Sequence, residues 1–289
     1  MQYGGFQVNE AQRIILVDVT NACMRRCTGC MRMCNHRTVS WFADMDWLRD
    51  MLNALMEFRG VVGLFGGEPL LHPCFGEIAA LVRELFGEQQ RSPGEVDVNE
   101  VGRIRSGIGL WTTAEPSLWA VHAEDVRRSF SFVRINDHLG PVRHYPVLVC
   151  PGDLGYTRDE LDALPPCWVS RCCASSVTPW GAYFCEVAGA LDGFLKLGLG
   201  ESPCAGWWRT AADDQRVLCE FCGARLPLRW TDDHSVNIVS ESWYRWLSAA
   251  GSKEKMSVVT QKPTASMLRQ RQLLVRYTDD VHCQRRLWW

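Results

Sequence analysis

Apolar runs of two different periods alternate through the first half of the chain, and that alternation narrows the architecture before any other signal is weighed. Residues 14–19 form a short apolar run that reads as a buried strand and ends in Thr20-Asn21, polar residues that open a loop. Over 46–59, Trp47, Met51, Leu55 and Phe58 recur at helical spacing, and Gly60 stops the helix. Residues 61–65 are a second strand running into Gly66-Gly67, and 75–86 a second helix with Ile78, Leu81, Val82 and Leu85 on one face. After a polar excursion over 87–106 that contains Pro93, the alternation resumes with a strand near 109–113, a helix over 117–129, a strand over 132–136 and a short strand over 146–150. Such repeats predict an α/β fold, a parallel sheet that is open or curled into a partial (β/α) barrel. Helices lie outside it and the working residues sit on loops after strand C-termini.

Composition limits the function classes. At 289 residues, 47% hydrophobic and 22% charged, the chain suits one large domain with an accessory module. Its longest apolar stretches fall far short of the roughly 20 residues that span a bilayer, and residues 1–10 lack a basic region followed by an apolar core, so a cytoplasmic location without membrane contact is expected. A net charge of -2 argues against a generally nucleic-acid-coated surface, although 27 of the 31 basic residues are Arg. Fourteen cysteines without an export signal do not suit a disulfide framework, which leaves metal or redox chemistry as the default.

Their grouping separates the possibilities. Cys23, Cys27 and Cys30 stand at C-x3-C-x2-C directly after the first strand, and short spacings of this kind let one loop wrap one metal centre with soft thiolate ligands. Three ligands on four irons leave one iron open, which is what catalysis needs. With Gly66-Gly67-Glu68-Pro69 after the second strand, the arrangement resembles the radical S-adenosylmethionine superfamily. That resemblance implies a partial barrel, a 4Fe-4S cluster on Cys23, Cys27 and Cys30, and S-adenosylmethionine on the fourth iron. Reductive cleavage to methionine and a 5'-deoxyadenosyl radical then leads to hydrogen abstraction from the substrate. An electron donor such as flavodoxin or ferredoxin goes with that chemistry. The resemblance also assigns the glycine pair to close approach of the cofactor's methionine amino group and Glu68 to holding that ammonium. Gly29 stands where the family usually has an aromatic residue beside the adenine. Cys34 adds a fourth cysteine, so a closed ferredoxin-type cluster or a zinc site is the rival, and neither explains the Gly-Gly-Glu-Pro segment.

Beyond residue 155 the pattern changes to Pro165-Pro166, scattered Cys and Trp, and few periodic segments, which places a boundary there. Cys167, Cys185 and Cys219-x2-Cys222 resemble the SPASM module in its shortened twitch form, implying a second, auxiliary 4Fe-4S cluster on those four residues. Cys172 and Cys173 compete with Cys167, and a zinc ribbon is the alternative for the whole set. Cys34, Cys74, Cys150, Cys204 and Cys283 are read as buried small hydrophobes. The expected division is 1–155 for the barrel core, 156–232 for the auxiliary module and 233–289 for a C-terminal extension.

Other site candidates follow from position. Glu186 follows Cys185 and faces the substrate if its strand turns inward. Asn136, Asp137 and His138 end a strand, His144 follows in the next loop, and Thr112 and Thr113 occupy the rim of the third strand, where the S-adenosylmethionine carboxylate or ribose is expected. Most of the thirteen Trp read as core. The tail from Met267 interleaves Arg269, Arg271, Arg276, Arg285 and Arg286 with Tyr277, Trp288 and Trp289, a pattern suited to phosphates and stacked bases. With the first strand expected from residue 14, no leader-peptide-binding domain is expected before it. The favoured substrate is therefore a nucleoside or a nucleobase in hypermodified DNA, with rearrangement or bond formation as the outcome. Ribosomal-peptide maturation and modification of a sugar or amino-acid metabolite are the alternatives. A non-catalytic electron carrier or a zinc-binding interaction protein is the alternative of another class.

Overall fold

The computed structural model describes residues 14–88, 107–136, 145–165, 167–169, 175–209, 214–228 and 235–262. Strand β1 (Ile14–Thr20) lies next to β2 (Val61–Gly66), followed outward by β3 (Gly107–Thr112) and β4 (Phe132–Ile135), all parallel. Helices α1 (Met45–Ala54), α2 (Phe75–Phe86) and α3 (Pro116–Ser129) make the crossovers between them. Parallel neighbours share their C-terminal edge, so the loops after β1, β2 and β3 meet at one rim. Helix α1 starts where the Asp44 carboxylate accepts from the amides of Asp46 and Trp47. It ends five residues before Arg59 because the chain tightens into single turns, Met56 N–H to Asn53 and Phe58 N–H to Leu55.

On the other side of β1 the sheet continues into β5 (Ser175–Thr178), parallel to it, and β6 (Gly181–Tyr183), antiparallel to β5, giving the order β4-β3-β2-β1-β5-β6 among the described residues. The boundary expected near residue 155 thus falls inside one sheet. Core residues from both sides of it, such as Val17, Leu64, Tyr183 and Leu191, belong to one apolar cluster. The strand expected over 146–150 does not form. That stretch is buried, and its backbone is satisfied from later segments instead, by the Ser240 hydroxyl on the Cys150 amide and by Gly223 and Ser240 amides on the Val147 and Leu148 carbonyls.

The remaining elements are α4 (Arg158–Asp162), the buried α5 (Glu186–Leu195), α6 (Glu241–Ala249) and a small parallel pair, β7 (Asn237–Val239) with β8 (Met256–Val258). Side chains alternate across the strands: Val17 and Val19 pack under the helices, while Leu16, Val61, Trp111 and Phe132 form a second apolar cluster on the inner face. Asp18, two residues beyond Leu16, lies at the rim end of β1 and is 5% exposed. No helix among the described residues is long and apolar enough to cross a membrane.

Candidate functional site

The cysteine loop after β1 and the glycine segment after β2 are fastened together by backbone. Gly67 N–H donates to the Thr20 carbonyl and Glu68 N–H to the Ala22 carbonyl, each at 2.7 Å. A Cβ on Gly66, which has φ +119°, would stand 2.1 Å from the Thr20 carbonyl oxygen, and one on Gly67 2.1 Å from that of Ala22. Both glycines are therefore required by the chain's own packing, a nearer cause than close approach of a ligand.

Glu68 is fully buried. Its two carboxylate oxygens accept from Leu70 N–H (3.1 Å), the Thr112 hydroxyl (2.7 Å), Thr113 N–H (2.7 Å) and the Thr113 hydroxyl (2.6 Å). Those four bonds use the carboxylate's lone pairs and clamp the ends of β2 and β3. Thr112 is likewise engaged, its hydroxyl also accepting from Ala114 N–H at 2.9 Å. The half-buried Thr113 keeps acceptor capacity on its hydroxyl. Pro69 is buried and opens a single 3-10 turn, Pro69–Leu71.

Cys23, Cys27 and Cys30 are half-buried. Burial pushes the Cys23 and Cys27 thiols up to about 11, with mutual repulsion among the three as thiolates adding to it. Cys30 is held down at about 6, first by a hydrogen bond from the Cys34 thiol, which is itself raised well above the ordinary range. Arg25 N–H donates to Cys23 Sγ at 3.4 Å, the kind of bond that steadies a ligating sulfur. In the same loop the buried Thr28 Oγ1, Asn35 Oδ1 and Arg37 Nε have no hydrogen-bond partner. Two thiols that resist ionisation until a cation joins them and a third already inclined to the thiolate, together with these orphaned polar atoms, fit an iron-sulfur cluster in this loop. Among the described residues no three His, Cys, Asp or Glu side chains are set to share one metal ion. Thiolates of a cubane bind different irons and stand further apart than ligands of a single ion.

Beside the loop lies a charge cluster of which the sequence pattern singles out only Glu186. Arg32 donates to the Glu186 carbonyl, and its Nη2 stands 3.5 Å from Asp18 and 3.6 Å from the Glu186 carboxylate. The guanidinium also lies over the Phe65 ring, 4.6 Å from its centroid. All three charged residues are at most 7% exposed. Burial lifts Asp18 to about 6, a rise that Arg32 opposes and the Glu186 charge assists. Glu186 is thus the first residue of α5, tied to Arg32, and Arg32 links the loop of Cys30 to the segment of Cys185. Two signals for this were present in the sequence: a lone acid within the apolar run of β1, and an arginine two residues past the third cysteine.

Cys167, Cys185, Cys219 and Cys222 line one cavity of about 410 Å³, walled by apolar residues that include Leu164, Phe184 and Leu191, with Arg158, Arg216 and Arg225 at its margin. Burial raises the thiols of Cys185, Cys219 and Cys222, and each is raised further by its cysteine neighbours. Cys219 reaches about 11, with Arg225, Arg216 and Arg158 pulling it back. Ala224 N–H donates to Cys222 Sγ at 3.4 Å. Four cysteines that repel one another as thiolates, in a largely apolar cage whose lining also carries three arginines with Asp162 and Glu220, fit a group that is positive at its centre and anionic once ligated.

Asn136 ends the β4 segment half-buried, its N–H on the Thr112 carbonyl at 2.8 Å. Asp137, His138, His144, Cys172, Cys173, Cys283 and the tail from Met267 lie outside the described residues. Cys204 is exposed rather than buried, and Cys34 sits against Cys30 rather than in the core. Trp207, Trp208 and Trp243 are core residues, as expected, with Trp243 Nε1–H on the Phe221 carbonyl at 2.7 Å.

No protein-family model matches the chain, and no curated protein does. Among solved structures, the crystal structure of BtrN in complex with AdoMet and 2-DOIA is similar over 73% of this chain and 88% of that one, at 16% identity and a TM-score of 0.42.

Proposed function

We propose that this chain is a radical S-adenosylmethionine enzyme whose catalytic 4Fe-4S cluster is held by Cys23, Cys27 and Cys30. The observation that carries the reading is the pair of 2.7 Å backbone bonds that fasten Gly67 and Glu68 to the root of the cysteine loop. Two motifs far apart in sequence become one unit at the C-terminal rim of a parallel sheet, the place where such sheets bind ligands. When bound, the cluster and S-adenosylmethionine supply reductive cleavage of the sulfonium to methionine and an adenosyl carbon radical that removes a substrate hydrogen atom.

The chain's own part is to bind, orient and exclude water. Gly66 and Gly67 set the loop against β2, and Glu68 with Thr112 fixes the gap between β2 and β3, where Thr113 can accept a ligand's hydrogen bond. In this reading Asp18, Arg32 and Glu186 orient polar substrate atoms, with Asn136 at the end of β4 assisting and Asp137 and His138 assigned to the substrate from their place in the sequence alone. A second 4Fe-4S cluster on Cys167, Cys185, Cys219 and Cys222 completes the proposal, supported by the cavity those thiols share. Electrons come from a flavodoxin- or ferredoxin-like donor. The substrate class we assign, a nucleoside or a nucleobase in a polynucleotide undergoing rearrangement or bond formation, rests on the arginine- and tryptophan-bearing tail. Anaerobically reconstituted, reduced protein is expected to convert S-adenosylmethionine to methionine and 5'-deoxyadenosine, and a variant with Cys23, Cys27 and Cys30 changed to Ala is expected not to. Zinc without sulfide in the native protein, or turnover by the triple variant, overturns the assignment.

A further inference from the structure

The C-terminal ribbon of β7 and β8 belongs to no part of the chemistry described so far, yet its polar side chains converge on the cysteine loop. Asn237, at the start of β7 and 2% exposed, turns its Oδ1 to two donors from that loop, Gly29 N–H at 2.9 Å and Asn35 Nδ2–H at 3.1 Å. Its orientation is set from the other side, because Asn237 N–H (2.9 Å) and Nδ2–H (3.5 Å) both donate to the Lys255 carbonyl. Ser252 Oγ stands 3.0 Å from His36 Nδ1, and Arg26 Nε–H donates to Glu254 at 2.6 Å while its Nη2 reaches the Asn35 carbonyl. Arg26 is largely exposed and contributes little. The buried Asn237 contact is the one whose loss leaves donors unsatisfied.

Gly29 sits between Cys27 and Cys30 with φ +63°, a left-handed conformation that bends the loop, and its amide is the one Asn237 holds. We infer that Asn237 is a positioning residue for the cysteine loop: its side-chain oxygen fixes the Gly29 bend and so sets the thiols of Cys27 and Cys30 relative to one another. This rests on the cluster reading for its consequence, but the positioning itself is a property of the cluster-free chain and is measured there.

Both loop bonds go to an oxygen acceptor, so Asn237→Leu removes them, whereas Asn237→Asp keeps the acceptor but gives up the 3.5 Å bond to the Lys255 carbonyl. Asn35→Asp places a carboxylate oxygen against Asn237 Oδ1 and breaks the same contact from the loop side. Hydrogen exchange of the Gly29 amide in full-length, cluster-free protein is expected to quicken roughly tenfold or more in Asn237→Leu and Asn35→Asp, and by less in Asn237→Asp. In reconstituted protein the first two variants are expected to show an altered electron paramagnetic resonance spectrum of the reduced Cys23/Cys27/Cys30 cluster, with the spectrum of the second cluster unchanged. Wild-type exchange at Gly29 in both disruptive variants overturns the inference. Should wild-type protein bind no iron at all, the cluster reading fails while the exchange comparison still decides whether Asn237 positions the loop.

Discussion

At the scale of single residues, Gly67 separates two ideas about why a glycine stands at a cofactor site. If only the ligand needed the space, a larger side chain would block the cofactor and spare the cluster. With the Ala22 carbonyl 2.1 Å from where a Cβ would sit, Gly67→Val is expected to push the cysteine loop away from β2. The variant should lose the catalytic iron, about half of the roughly eight irons of the fully loaded chain, together with S-adenosylmethionine cleavage. Iron and sulfide counts on the reconstituted variant check this. His36 offers a test in pH. Burial lowers it from 6.5 to about 4, so it is neutral when folded and binds a proton more readily when unfolded. Stability is therefore full above about pH 6.5 and declines as pH falls toward about 4. Thermal unfolding of the cluster-free protein over that window is expected to show a shallower decline in His36→Gln than in wild type.

At the scale of elements, helix α2 was legible because its apolar residues keep one helical period, and it begins and ends where its pattern says, while the first four strands were legible as short apolar runs between polar or glycine-bearing segments. Helix α5 was not. Glu186–Leu195 is apolar around nearly its whole circumference, and a helix buried on every side loses the periodicity that announces it. The strand expected over 146–150 failed for the opposite reason: a buried apolar run resembles a strand whichever partners satisfy its backbone. The four later cysteines were legible from spacing, while the arginines around their cavity and the Asp18–Arg32–Glu186 cluster come together only through tertiary folding. The cavity gives an element-level prediction. Changing Cys185 and Cys222 to Ala removes two of its four thiols and is expected to remove about four irons while the Cys23/Cys27/Cys30 cluster assembles normally. Loss of all iron would mean instead that the two sites assemble only together, through the Arg32 bridge.

For the whole molecule, the proposed polynucleotide substrate predicts a steep fall in binding with salt, because Arg285, Arg286 and their neighbours would neutralise phosphates. Titration against single- and double-stranded oligonucleotides at two salt concentrations is expected to show that fall, and removal of residues 283–289 to weaken binding without altering S-adenosylmethionine cleavage. No binding at low salt would point to a free metabolite. The central place of β1 has a further consequence, in time rather than space. Ile15 pairs on one side with Val62 and on the other with Ser175. A ribosome adding about 5–20 residues per second needs roughly 6–23 s to travel from the first of those partners, Val62, to the last, Ser175. Throughout that interval the nascent half-sheet presents a bare backbone edge beside unligated thiols, the species most prone to stick to its own copies. Chains stopped short of residue 175 should therefore collect in the insoluble fraction, and slow, cool synthesis should raise the yield of full-length protein able to take up iron.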